Sequence, residues 1–448
     1  MATDTRAPGS STISRPAPER GPAPFNTIAV VGLGYIGLPT AAIFAGRKIR
    51  VIGVDVNMDA VNAINGGEVH ILEPELGEMV RSVVADGFLH ATNSPEQADA
   101  FLIAVPTPFK AGSDGDGRQP DLSYIRAACL SIAPVLKPGD LVVLESTSPV
   151  GATEQMARWM AEARPDLSFP QQASEASDIR VAHCPERVLP GDVLREFVRN
   201  DRVVGGMTPL CSRKAAALYK LAVEGDCIVT TARTAEMTKL TENSFRDVNI
   251  AFANELSVIC DELEIDVWEL IGLANRHPRV NVLQPGPGVG GHCIAVDPWF
   301  IVSRSPETAR LIRAAREIND AKPGWVLDRV RKEMERQLTA KPGAARRDLT
   351  VACYGLAFKP DIDDLRESPA LNIVRDLCDQ HEGRILAVEP NIDTLPLSLA
   401  RAEKADIASA IAEADIHVIL VAHKQFRAID RARWPRNVID VVGLTGRA

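Results

Sequence analysis

The run Ile28-Ala-Val-Val31 enters Gly32-Leu33-Gly34-Tyr35-Ile36-Gly37, and a helical pattern follows through about Arg47. An apolar strand, a Gly-x-Gly-x-x-Gly turn and a helix form the start of a βαβ unit, which demands a parallel sheet. Gly32 permits the tight turn, Gly34 lets a pyrophosphate approach the backbone, and Gly37 lets the helix pack on the strand. The helix N-terminus stabilises phosphate charge. A second strand at 50–55 ends on a carboxylate, Asp55, 18 residues past Gly37. Asp55 would accept hydrogen bonds from a ribose and repel a 2′-phosphate, so this spacing predicts NAD rather than NADP.

At 448 residues the chain is too long for one core. A formal charge of −9 argues against a nucleic-acid surface and gives no support to membrane electrostatics, so an anionic ligand must find its cations locally. The eight cysteines include no Cys-x-x-Cys pair. That excludes a zinc knuckle or disulfide framework, suits a reducing cytoplasm, and leaves no metal site to expect. Residues 1–24 are rich in Pro, Ser, Thr and Ala without an apolar core and read as a disordered leader. Apolar runs such as 414–422 are too short to span a membrane.

Further buried-type strands are expected at 100–105, 141–145, 179–182 and 202–204, with helices between, giving a parallel sheet covered on both faces. From about 210 to 275 the strand signal vanishes. Residues 234–263 read as one helix about 45 Å long, suited to carrying a subunit interface. After Pro323 a helix leads to a basic loop at 341–347. A second α/β set follows at 349–355, 385–388, 416–421 and 438–442. It lacks the glycine turn and should bind something other than a dinucleotide. The expected fold is therefore α/β, with two Rossmann-like doubly wound parallel-sheet domains joined by a helical central domain with a long helix. The boundaries expected are 1–24 for the leader, 25–225, 226–322 and 323–448.

Four further groups carry chemistry. Thr107 and Thr147 place hydroxyls where strands stop, near the expected nicotinamide. Lys239, Asn243 and Arg246 share one helix stripe at i, i+4 and i+7. An ammonium among apolar neighbours suits acid/base work, and an amide suits an oxyanion. Cys293 lies in Pro287-Gly-Val-Gly-Gly-His-Cys-Ile-Ala-Val-Asp297, a thiol among glycines with a carboxylate four residues on. Beside donors that favour thiolate, it can attack an aldehyde. After strand 179–182 come Glu186, which could activate water, and Arg187, which could hold an anionic group. Taken singly, each has a plainer reading as a helix cap, a solvated face or a packed cysteine.

The segments Val31–Pro39, Glu145–Gly151, Cys184–Gly191, the Lys239/Asn243 helix, Gly290–Asp297 and Gly355–Asp361 resemble the UDP-glucose/GDP-mannose dehydrogenase family, over about residues 26–445. That resemblance implies two hydride transfers to NAD, taking a sugar C6 alcohol to a carboxylate without releasing the aldehyde. It implies Cys293 as nucleophile, Lys239 as acid/base, Asn243 at the oxyanion, Asp297 and Thr147 near the hydrolytic water, and Glu186 as a candidate base. Tyr35, Ile36, Asp55, Thr107, Thr147 and Arg366 fall where the family holds NAD. Arg187, Val188, Arg246, His277, Arg279, Gly290, Phe358 and Lys359 fall where it holds the UDP-sugar, with Arg279 reaching a partner subunit's site. Residues 323–448 would then bind the UDP-sugar, and 226–322 would form a homodimer or higher homo-oligomer.

Departures narrow the substrate. UDP-glucose enzymes of the family have Gly-Gly-Ser-Cys and a Lys before the final Asp, where this chain has His292 and Val296, and a second glutamate where it has Pro190. These changes point to an N-acetylated sugar and weaken a direct transfer of water activation to Glu186. The run Val296–Phe300 favours the N-acetylmannosamine branch, which supplies surface polysaccharide. Three rival readings stay open: a two-electron β-hydroxyacid dehydrogenase, which has no need of Cys293; an epimerase, for which the Tyr-x-x-x-Lys pair is missing; and a silent NAD-sensing protein.

Overall fold

The structure, a computed structural model, describes residues 25–71, 73–110, 112, 118–188, 191–291, 293–435 and 437–446. The expected leader at 1–24, Pro190 and His292 lie outside the described residues. The rest divides into two compact units.

The first unit draws on the described residues up to Val105, Ala128–Glu145 and Ala157–Ala232. Its sheet comprises β1 (Thr27–Val31), β2 (Arg50–Val54), β3 (Leu89–Thr92), β4 (Ala100–Ile103), β5 (Leu141–Leu144), β6 (Arg180–His183), β7 (Arg202–Gly206) and β8 (Cys227–Thr231). The strand order is β3-β2-β1-β4-β5-β6-β7-β8. Every residue of β4 and β5 is buried, because helices cover both faces and no side can be polar. The sheet departs from the expected all-parallel form at β6 and β7, which pair antiparallel through Ala182 and Gly206. An antiparallel return needs no full crossover, and only the seven-residue helix Val193–Arg199 stands between them. β8, parallel to β7, falls where no strand was expected. It is an edge strand with Ile228 and Val229 about half exposed, so it has neither the buried run nor the alternation that marks a strand.

The second unit draws on Pro106–Ala127, Ser146–Met156 and Arg233–Ala448. The expected long helix spans Ala232–Glu262. A second helix of the same length, Arg310–Ala340, runs through the boundary expected at 322/323 with Pro323 inside it. Its buried residues Arg316, Asn319, Lys322, Val326 and Val330 recur every three or four positions, so packing of one face outweighs the break a proline introduces. The sheet beyond it is parallel, in the order β11-β10-β9-β12-β13. Its strands are β9 (Val351–Tyr354), β10 (Ile385–Val388), β11 (Glu403–Lys404), β12 (Ile416–Ile419) and β13 (Val438–Asp440).

The two sheets repeat one device with different outcomes. Gly32 and Gly355, each following a first strand, both have φ of +92°. The next amide donates to an acid after the second strand: Leu33 N to Asp55 Oδ2 at 2.7 Å, and Leu356 N to Glu389 Oε2 at 2.8 Å. Asp55 keeps access to solvent. Glu389 is buried, receives His423 Nε2 at 3.0 Å, and accepts from Asn391. The second copy has thus enclosed the carboxylate that would meet a ribose, as expected of a domain that does not bind a dinucleotide.

Candidate functional site

In the first unit the glycine turn has the shape a pyrophosphate requires. A Cβ on Gly32 would lie 2.6 Å from the Ala104 carbonyl oxygen, and one on Gly37 would collide with the Gly32 carbonyl. Gly34 has nothing within 4 Å, so its open side faces the room a ligand needs. The helix Gly37–Gly46 begins there, with Tyr35 exposed and Ile36 half-buried beside the turn. Asp55 accepts from Leu33 N at 2.7 Å and, with its other oxygen, from Asn57 N at 2.9 Å. A carboxylate has about four acceptor positions, so bracing the turn leaves capacity for a ribose.

Glu186 is less free than the sequence suggests. It is buried, with Oε2 receiving Arg202 Nη1 at 2.8 Å and Oε1 receiving the Arg187 amide at 2.7 Å. An ion pair that encloses both oxygens makes it a brace for the 184–188 segment rather than an open base for water. Arg187 Nη1 donates to the Asp201 carbonyl at 3.1 Å, and Val188 packs against the hydrophobic core. Beside this pair, burial pushes Glu145 up to about 7, and Tyr219 donates to it at 2.6 Å.

The second unit assembles the catalytic candidates. Thr107 Oγ1 donates to the Thr147 carbonyl at 2.6 Å, joining two segments 40 residues apart. Glu236, which the sequence reading missed, accepts from Gly151 N at 2.7 Å and from Thr153 N and Oγ1. It lies three residues before Lys239 on the same helix stripe, and that spacing was the available signal. Asn243 Nδ2 donates to Asp297 Oδ2 at 2.5 Å. Asp297 opens the helix Asp297–Arg304, and its amide donates to the Cys293 carbonyl at 2.8 Å. Bonds therefore join Asn243 to Asp297 and Asp297 to the Cys293 backbone, with Lys239 one helical turn before Asn243.

The electrostatics correct one expectation. Cys293 is exposed, yet enough of the protein surrounds its thiol to take part of its water away. Desolvation and the charge of Asp297 raise its pKa, outweighing Lys239, Arg366 and Arg246, which lower it. The site as it stands favours thiol, not thiolate. Burial also pushes Asp297 up to about 7, against the opposing pull of Asn243 and Lys239. A carboxyl titrating near neutrality suits proton transfer.

The C-terminal domain closes on the glycine loop. A Cβ on Gly290 would strike the Glu367 carbonyl and lie 2.7 Å from Pro369 Cδ, while Phe358 packs on Gly290 and Gly291. The Lys359 ammonium sits 5.8 Å from the Phe358 ring centroid. Arg366 is exposed and forms a bidentate pair with Asp364. Arg246 is exposed on the long helix, and His277 and Arg279 are exposed, joined by the Arg279 amide donating to His277 Nδ1 at 3.3 Å.

Comparison with known proteins agrees with this layout. Residues 26–223 match the NAD binding domain of the UDP-glucose/GDP-mannose dehydrogenase family, 233–321 its central domain, and 352–446 its UDP binding domain. The chain is 64% identical over 425 residues to a UDP-N-acetyl-D-mannosamine dehydrogenase of Yersinia pestis, covering 94% of this chain and 99% of the relative. It is 63% identical over 423 residues to an NDP-N-acetyl-D-galactosaminuronic acid dehydrogenase of Ralstonia nicotianae, covering 94% and 96%. Among solved structures, the UDP-N-acetyl-mannosamine dehydrogenase Cap5O of Staphylococcus aureus matches with a TM-score of 0.80 at 39% identity, covering 94% of this chain and 96% of the other. The chain belongs to the UDP-glucose/GDP-mannose dehydrogenase family and is an NAD-dependent dehydrogenase.

Proposed function

We propose that the protein oxidises C6 of UDP-N-acetyl-D-mannosamine to the carboxylate, consuming two NAD and one water. The observation that supports this most is the bond from Asn243 to Asp297, which holds the helix bearing Lys239 to the turn bearing Cys293. The two-electron β-hydroxyacid reading needs neither Cys293 nor Asp297. The sugar follows the names of relatives at 61–64% identity.

Bound NAD supplies the hydride acceptor for each oxidation. Lys239 conducts the C6 hydroxyl proton towards solvent as the first hydride leaves. Cys293 Sγ then bonds to the aldehyde carbon, its proton ending on the aldehyde oxygen to give a thiohemiacetal. The second N–H of Asn243 and the Lys239 ammonium stabilise that oxygen. Loss of the second hydride and the hydroxyl proton leaves a thioester on Cys293. Water, positioned with Thr147, adds to the thioester carbon as the C–S bond breaks. One of its protons returns to sulfur and the other passes to Asp297.

Tyr35, Ile36, Asp55, Thr107, Thr147 and Arg366 serve NAD in this reading, and Arg187, Val188, Arg246, His277, Gly290, Phe358 and Lys359 serve the UDP-sugar. Arg279 serves the site of a second copy. Phe245, Phe252 and Ile259 recur every seven residues along the long helix and are 70%, 52% and 42% exposed, an apolar stripe that a second copy covers. No helix among the described residues is long and apolar enough to cross a membrane. We place the enzyme in the cytoplasm, supplying a uronate for surface polysaccharide.

The test is NADH formed per mole of limiting UDP-N-acetylmannosamine, with UDP-N-acetylgalactosamine, UDP-N-acetylglucosamine and UDP-glucose in parallel. Two NADH with the mannosamine substrate alone are expected. The galactosamine arm carries the second reading, which the Ralstonia relative at 63% identity favours. One NADH per sugar overturns the thioester step, and no turnover with any of the four overturns the reading.

A further inference from the structure

The glycine loop that leads to Cys293 is tied to the two long helices at Gly286, whose N–H donates to Asn254 Oδ1 at 2.9 Å. Asn254 is fully buried and continues inward, its Nδ2 donating to Asn319 Oδ1 at 2.8 Å. Asn319 Nδ2 donates in turn to Asp247 Oδ1 at 2.8 Å, and Arg316 Nη1 meets the same oxygen at 2.7 Å. Asp247, Arg316 and Asn319 are each no more than 1% exposed.

The order of donors and acceptors along this chain is not free. A carboxylate can only accept. Asp247 therefore turns the Asn319 amide with its NH2 inward, which presents the Asn319 oxygen to Asn254. That fixes Asn254 the same way and presents its oxygen to the Gly286 N–H. Reversing either amide would set oxygen against oxygen among fully buried side chains. Asn319 also approaches the loop through its own backbone. Pro323 lacks the N–H that would bond the Asn319 carbonyl. That carbonyl oxygen lies 3.2 Å from where a Cβ of Gly288 would stand, and Gly288 has φ of +139°. Asp247 is one turn past Asn243, so one helix sets both the Lys239/Asn243 stripe and, through two amides, the backbone leading to the thiol.

We infer that Asn254 and Asn319 are positioning residues for Cys293, forming a two-amide relay oriented by Asp247 that holds the 286–291 loop in register with the long helix. The inference rests on the reading of Cys293 as the nucleophile. It concerns residues that touch neither substrate nor cofactor in that reading and act through the backbone of the loop.

The test compares Asn254→Ala, Asn254→Asp and Ser257→Ala in the full-length protein. Ser257 lies three residues on along the same helix, receives the buried Lys322 ammonium and donates to the Asn254 main-chain carbonyl at 2.6 Å, so its loss perturbs the same region while leaving the Asn254 side-chain amide and its bond to Gly286 in place. Asn254→Ala should lower kcat for NADH formation by about tenfold or more, with KM within about twofold. It should change the rate of Cys293 alkylation by iodoacetamide, measured without substrate, by at least about threefold. Amide exchange in peptides covering 284–291 should speed up. Asn254→Asp retains an acceptor for Gly286 but sets a carboxylate against the Asn319 oxygen, so its loop should exchange more slowly than that of Asn254→Ala. Ser257→Ala should lose thermal stability while keeping wild-type kcat and alkylation.

Wild-type kcat and alkylation in Asn254→Ala would overturn the proposal, as would an equal loss of kcat in Ser257→Ala. If Asn254→Ala does not fold, exchange in the wild-type protein decides: a Gly286 amide without protection overturns it. If the wild-type protein makes no NADH, the proposed reaction fails by itself, while alkylation and exchange still decide the relay.

Discussion

Asn243 and Asp297 meet at 2.5 Å between Nδ2 and Oδ2, both side chains buried, across 54 residues of chain. This bond fixes the amide with one N–H spent on the carboxylate and one left for a substrate oxygen. It also gives the buried Asp297 carboxylate a hydrogen-bond partner beside the Cys293 turn.

The pH dependence of stability should carry the mark of Asp297. Its carboxyl is held at about 7 in the folded protein against an ordinary 3.8. Between about pH 4 and 7 the folded state therefore keeps a proton that the unfolded chain releases, and stability falls as pH rises through that window, by up to roughly 4 kcal/mol. Asp297→Asn should raise Tm at pH 8 more than at pH 5 and lower kcat about 100-fold or more. Glu145, also at about 7, acts with the same sign and should leave a residual slope in the variant. Thermal melts at both pH values check this, and an unchanged difference between them would argue against a buried, raised Asp297.

Asp55 braces the turn at Leu33 and, in the function proposed, also receives a ribose. Asp55→Ala should raise KM for NAD about tenfold or more and narrow the preference for NAD over NADP. Initial rates with the two cofactors measure this. An unchanged ratio would show that the carboxylate serves the turn alone.

Two glycines should respond in opposite ways. Gly34 has open space around a new Cβ, so Gly34→Ala should melt like the wild type but gain less stability from NAD. Gly290 has the Glu367 carbonyl and Pro369 in that space, so Gly290→Ala should lose about 1–3 kcal/mol without any ligand. Melts with and without NAD separate the two.

The apolar stripe should govern assembly. Phe245→Glu with Phe252→Glu should lower the mass measured by light scattering to that of one chain, while NAD still raises Tm. Turnover should fall with the mass, since Arg279 is proposed to serve a second copy. An unchanged mass would mean that something other than a second copy covers the stripe.

Much of this site was legible residue by residue. The glycine turn, Asp55, the Lys239/Asn243 stripe and the Cys293–Asp297 spacing all lie where local pattern places them. Glu186 did not keep its expected freedom, because Arg202, 16 residues on, takes its carboxylate. At Cys293, where donors favouring thiolate would aid attack, desolvation and a neighbouring carboxyl outweigh three cations. β8 and the reversed direction of β7 were missed because edge exposure and strand direction leave little trace in a short apolar run.

By itself the sequence determined the two α/β modules, which of them binds NAD, and the residue types of the proposed catalytic face. Those follow from periodicity and turn chemistry, which act over a few neighbouring residues. Only the tertiary structure decided which charges lose water, which carboxylates are already paired, and how Asp247, Asn319 and Asn254 link in one direction to Gly286. Those outcomes depend on segments tens of residues apart meeting in a dry interior, where each polar group must find a partner and each charge a neighbour.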